Sequence, residues 1–118
     1  MKHLFSRDDV LLLAERAESS KNIIIVTHTN PDGDAIGSVT AMGKFLSNIG
    51  LSHQIWTPNR YPDYLSFLDT SSKINIYRNG KIRGDFSTED SDLVICMDFN
   101  QLNRSDDLEP FIRESGAY

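Results

Sequence analysis

The chain has a single cysteine, Cys96, in 118 residues. One thiol excludes a disulfide framework and any cysteine-based zinc site. Long apolar runs are also missing. Runs such as Ile23-Ile24-Ile25-Val26 and Leu93-Val94-Ile95-Cys96-Met97 hold four and five residues, and none is longer than five, against the roughly 20 that span a bilayer. Basic charge is in deficit: 12 Lys and Arg stand against 17 Asp and Glu, a net charge of −5. That balance argues against wholesale binding to a nucleic acid backbone. A small anionic substrate stays compatible, because a bound cation inverts the local field. There is no Gly-Lys-Ser/Thr phosphate loop and no dinucleotide fingerprint. The first residues lack the apolar core of a signal peptide. These absences lead to the expectation of one cytoplasmic domain with no membrane partner and a reduced Cys96 in its core.

What is present alternates between strand and helix patterns. Ser6-Arg7-Asp8-Asp9 opens a helix with a serine cap and acids in its first turn. Val10, Leu11, Leu13, Ala14 and Ala17 recur at helical spacing and predict one apolar face. Ile23 to Thr27 reads as a strand covered on both sides. A second helix is expected from about Ala35 to Asn48, packing through Ile36, Val39, Met42, Gly43, Phe45, Leu46 and Ile49. Gly50 takes the C-cap position. Ser52–Thr57 and Lys73–Tyr77 are further strands, the latter alternating and suited to an edge. Tyr64–Leu68 is a short helix, and Arg78 to Asp90 reads as a loop. Asp92–Met97 is the fourth strand, and Ser105-Asp106-Asp107 caps a last helix running to about Glu114. This order predicts an α/β fold, a three-layer Rossmann-like parallel sheet with helices on both faces.

The chemistry gathers in His28-Thr29-Asn30-Pro31-Asp32-Gly33-Asp34, directly after the first strand. Pro31 and Gly33 shape the loop so that its imidazole and carboxylates face one place. In parallel sheets, ligands bind beyond the carboxyl ends of strands. Asp98, at the end of the fourth strand, falls on the same rim. One His and three Asp form a nitrogen–oxygen donor set that suits manganese, with magnesium, iron and zinc also compatible. Asp32 and Asp34 can address two ions and Asp98 can bridge them. Two metals about 3.5–4 Å apart activate water for phosphoryl displacement.

The segment Val26–Ser38, VTHTNPDGDAIGS, resembles the first motif of the DHH phosphoesterases. Leu93–Arg104, LVICMDFNQLNR, resembles the second, where an apolar strand delivers one Asp. The layout is most similar to short bacterial members acting as oligoribonucleases and as phosphatases of adenosine 3',5'-bisphosphate. The resemblance implies that His28 and Asp32 hold a first Mn2+, Asp34 a second, and that Asp98 bridges both. Asp34 and Asp98 are then the catalytic carboxylates, and the partners are nucleotides or short oligonucleotides. The Asp-His-His motif and the glycine-rich substrate domain of complete members are absent. Residues 1–118 are therefore expected to be the N-terminal part of a DHH catalytic domain, with negligible turnover alone. The longer protein is compatible with a homodimer.

Each assignment has a plainer counterpart. His28, Asp32 and Asp34 can form a polar turn whose carboxylates bond their own backbone. Asp98 can cap the next element. Asn30 can brace the loop or touch substrate. Arg104 can approach a phosphate or pair with Asp106 or Asp107. His3 and His53 read as solvent or strand residues, and Ser38 and Thr40 as helix residues. Trp56, Tyr61 and Tyr64 read as core, and Lys44, Arg78, Lys81 and Arg83 as a solvated face. Alternative functions are a non-catalytic nucleotide-binding module, a manganese pyrophosphatase and a single-strand exonuclease.

Overall fold

The computed structural model describes residues 5–69, 74–77, 93–114 and 116–117. The sheet is parallel, with β1 (Ile23–Val26), β2 (His53–Thr57), β3 (Ile74–Ile76) and β4 (Leu93–Cys96) in the order β3-β2-β1-β4. The four residues of β1 are at most 1% exposed. A strand of β-branched residues buried on both faces must be central, and β1 is. Burying each such side chain contributes about 1.5–3 kcal/mol.

Alternation of side chains divides β1 between two cores. Ile23 and Ile25 face helix α2 (Gly33–Asn48), packing with Val39, Leu46, Ile55 and Leu93. Ile24 and Val26 face helix α3 (Leu108–Glu114), packing with Trp56, Leu108 and Phe111. Helices therefore cover both faces, as the sequence predicts. Among the described residues, no helix is long and apolar enough to cross a membrane.

Several expectations need correction. Helix α1 (Arg7–Ser19) forms with its predicted cap, yet of its apolar residues only Ala17 is buried. Val10, Leu11 and Leu13 are each at least half exposed, because only the last turn of α1 joins the core. On α2 the packed stripe is Ile36, Val39, Gly43 and Leu46, and Phe45 and Ile49 lie off it, exposed. Cys96 is exposed, because β4 is an edge strand among the described residues. Its thiol is nonetheless pushed up by partial burial. Tyr64 is exposed, whereas Trp56 is core, its indole N–H donating to Gln54 Oε1 at 3.0 Å. Tyr64 belongs to a 3-10 helix over Asp63–Leu68. The last helix starts at Leu108. Ser105 does not cap it, since its hydroxyl donates back to the Leu102 carbonyl within a 3-10 turn over Leu102–Ser105. His3 and the expected loop with Arg78, Lys81 and Arg83 lie outside the described residues.

The α1 cap is a reciprocal one. The Ser6 hydroxyl and backbone N–H donate to Asp9 Oδ2 at 2.8 and 2.9 Å, and the Asp9 N–H donates to Ser6 Oγ at 3.1 Å. The Ser6 hydroxyl and then its N–H hold the Asp9 carboxyl below its ordinary value. A depressed folded pKa gives stability that is present above the unfolded value and lost as pH falls through the folded one. Lowering pH from about 6 to about 3 is therefore expected to move the backbone carbon shifts of Arg7–Val10 toward coil. Asp9→Ala is expected to show the same shift already at the higher pH.

Candidate metal centre

The register of the central strands builds the site. Val26 lies opposite Cys96 in the parallel pairing of β1 with β4. Two residues further along each strand, the same offset brings His28 opposite Asp98. The two exits are bonded together. The Met97 N–H donates to the Val26 carbonyl at 2.9 Å, and the Thr27 hydroxyl donates to the Met97 carbonyl at 2.9 Å. The Thr29 N–H donates to the Arg104 carbonyl at 2.7 Å. Beyond β1 the chain turns to α2 on one face. Beyond β4 it reaches α3 on the other. This divergence opens the crevice in which ligands of parallel sheets sit.

His28, Asp32 and Asp98 meet there, with one ligand atom from each lying within 4.8 Å of the others. His28 Nε2 is 3.3 Å from Asp98 Oδ2 and 3.8 Å from Asp32 Oδ1. The imidazole is buried, with its side chain 9% exposed. Its Nδ1 is 2.7 Å from the Thr29 carbonyl, which can only accept, so Nδ1 carries the proton. In the neutral ring, the Nε2 lone pair then faces two carboxylates that also only accept. A bridging water or a second ring proton can relieve that meeting of acceptors, and a divalent cation answers all three groups at once. Fixing Nδ1–H on a carbonyl is how proteins orient a metal-binding imidazole. The donor set fits a divalent cation, and softness favours one that takes nitrogen and oxygen together.

Asp32 is also the N-cap of α2, its Oδ1 accepting from the Ala35 N–H at 3.0 Å. The polar-turn alternative is thus realised for one oxygen. Among the described residues the second oxygen has no hydrogen-bond partner. Asp34 lies in the first turn of α2, exposed and outside the His28 group. Asp98 has φ 65°, a left-handed backbone that favours glycine. Asp tolerates it better than most residues, and such outliers cluster at functional sites.

The other candidates fall elsewhere. The Asn30 side chain pairs with Asn59. The Arg104 side chain is exposed and pairs with neither Asp106 nor Asp107; its contribution to the rim is its carbonyl. His53 and Lys44 line a separate cavity of about 590 Å³ between α2 and β2, with Thr40, Phe67 and Asp69. That cavity touches none of the metal candidates, so volume and chemistry point to different places, and the chemistry decides. Thr27 and Asn59 are site residues that sequence reasoning missed. A threonine ending an apolar strand and an asparagine in a turn are too common to stand out.

A sequence profile of the DHH family, N-terminal domain, matches residues 22–116. The chain belongs to the DHH family. The matched range takes in the whole sheet and every residue of the metal group. Among solved structures, this DHH domain is similar to an exopolyphosphatase-related protein from Bacteroides fragilis, with 28% identity and a TM-score of 0.89. The match covers 99% of this chain and 34% of that one, so the chain spans about a third of that protein's length. No curated protein matches it.

Thr27 is fully buried and its only described partner is the Met97 carbonyl. Thr27→Val removes the donor of this bond between the two strand exits. Urea unfolding is expected to show a loss of about 1–3 kcal/mol.

Proposed function

We propose that this DHH domain holds the cations of a phosphoesterase that hydrolyses short oligonucleotides or nucleotide bisphosphates. The observation that carries the reading is His28 Nε2 directed at Asp32 and Asp98 on the carboxyl rim of a parallel sheet. Membership of the DHH family supports it. Manganese is the proposed ion, since imidazole with carboxylates suits it better than calcium or a thiolate metal. Bound there, a divalent cation offsets the charge of phosphoryl oxygens and makes water a better nucleophile.

The chain's own residues have distinct tasks in this reading. The contact of His28 Nδ1 with the Thr29 carbonyl directs Nε2 toward the crevice. Asp32 and Asp98 complete the first ion site. Asp34, one step inside α2, serves a second ion. The amino end of α2 adds partial positive charge beside them, which favours an anionic ester. The exposed Arg104 guanidinium is available to a substrate phosphate. Asn30 is assigned to the loop. Because the similar solved protein is much longer, the activity is proposed for a longer protein that contains this domain. The name of that neighbour makes polyphosphate a second substrate class to test.

The test is a manganese titration of the complete protein. Turnover of adenosine 3',5'-bisphosphate, a short RNA and a polyphosphate is then followed. Asp34→Ala and Asp98→Ala are expected to lose turnover by several orders of magnitude while staying folded. Parental rates in either would remove the assigned roles. The isolated 118-residue chain is expected to bind Mn2+ weakly and to turn over none of the three substrates. Family-like rates from it would overturn that expectation.

A further inference from the structure

We infer that Asn59 is a positioning residue for the metal loop, acting through Asn30 from the neighbouring strand. The inference rests on the metal reading of His28, Asp32 and Asp98. Asn59 lies just past the end of β2, the strand beside β1. Its side-chain Oδ1 accepts from the Asn30 backbone N–H at 2.7 Å, and its Nδ2 donates to Asn30 Oδ1 at 2.7 Å. A side-chain amide is the group that offers an acceptor and a donor side by side. Aspartate lacks the donor, and alanine lacks both.

Asn30 needs holding. Its φ is 53°, in the left-handed region, and it precedes Pro31. A residue before proline is pushed toward extended backbone. Asparagine is among the few non-glycine residues that enter the left-handed region at all. The two bonds from Asn59 secure both the backbone and the side chain of Asn30 in that conformation. Pro31 then carries the turn onward, with its own φ fixed.

The consequence reaches the cation site because Asn30 sits midway between two ligands. His28 is two residues before it and Asp32 two residues after. The torsion at Asn30 therefore sets the direction of Asp32 relative to the anchored imidazole. His28 is held by β1, by Thr29 and by the link to Arg104. Asp32 is held from the other side by its cap on α2. Asn59 supplies the brace between these two anchors, and it draws it from β2, which contributes no ligand of its own. Groups that orient ligands typically matter by about 10–100-fold in metal affinity.

The test uses this chain, with Mn2+ binding followed by electron paramagnetic resonance and folding followed by thermal unfolding. Asn59→Ala is expected to stay folded and to bind Mn2+ about tenfold more weakly or worse. Adding Asn30→Gly to Asn59→Ala is expected to recover affinity, since glycine adopts the left-handed torsion unaided. A general loss of folding would not be rescued this way. In the metal-free protein, Asn59→Ala is expected to speed exchange of the Asn30 amide and to move the His28 ring nitrogen resonances. Unchanged Mn2+ affinity with unchanged Asn30 exchange overturns the positioning role. A parent chain that binds no Mn2+ through His28 overturns the metal reading instead, and the metal-free resonances then decide the role of Asn59.

Discussion

The imidazole of His28 turns its Nε2 toward two carboxylates, three acceptors that one cation can serve together. Its Nδ1–H is committed to a carbonyl 2.7 Å away, and its Nε2 faces carboxylate oxygens at 3.3 and 3.8 Å. The imidazole is buried, whereas the two carboxylates open to solvent, the side from which a cation would enter. The surrounding structure exists to hold it. The β1–β4 register brings the two loops together, and Thr27, Thr29 and Met97 tie the strand exits by backbone and hydroxyl bonds. Left-handed backbone at Asn30 and Asp98 shapes the two loops that carry these side chains.

Stability and function are divided along β1. Its four apolar residues are sunk between two helical layers and contribute to the fold alone. The next two residues, Thr27 and His28, are also buried but polar, and both hydrogen-bond to backbone carbonyls at the rim. The change from apolar to polar within one continuous buried segment marks where the core ends and the rim begins. The amino end of α2 faces that boundary, so its dipole adds to the field a cation and an anionic ester would share.

Much of this was legible in the sequence because the signals were local and periodic. The run Ile23–Val26 predicts a central strand by being apolar without interruption, and β1 is that strand. The rim rule for parallel sheets joins His28 to Asp98 across their separation in the chain. What failed was whatever depended on which neighbours are present. Val10, Leu11 and Leu13 have the periodicity of a packed face, yet only the last turn of α1 joins the core. Cys96 continues an apolar run, but its strand is an edge among the described residues. The Asn30–Asn59 pair was illegible for another reason: a reciprocal amide bond between two turns leaves no spacing or composition signal.

The most direct test of the central claim is a crystal of the chain grown with Mn2+ and measured for anomalous scattering at the manganese edge. The account predicts a peak in the crevice within bonding distance of His28 Nε2 and of carboxylate oxygens from Asp32 and Asp98. A crystal grown at saturating Mn2+ with no peak there, or with the imidazole turned so that Nε2 leaves the rim, would contradict it.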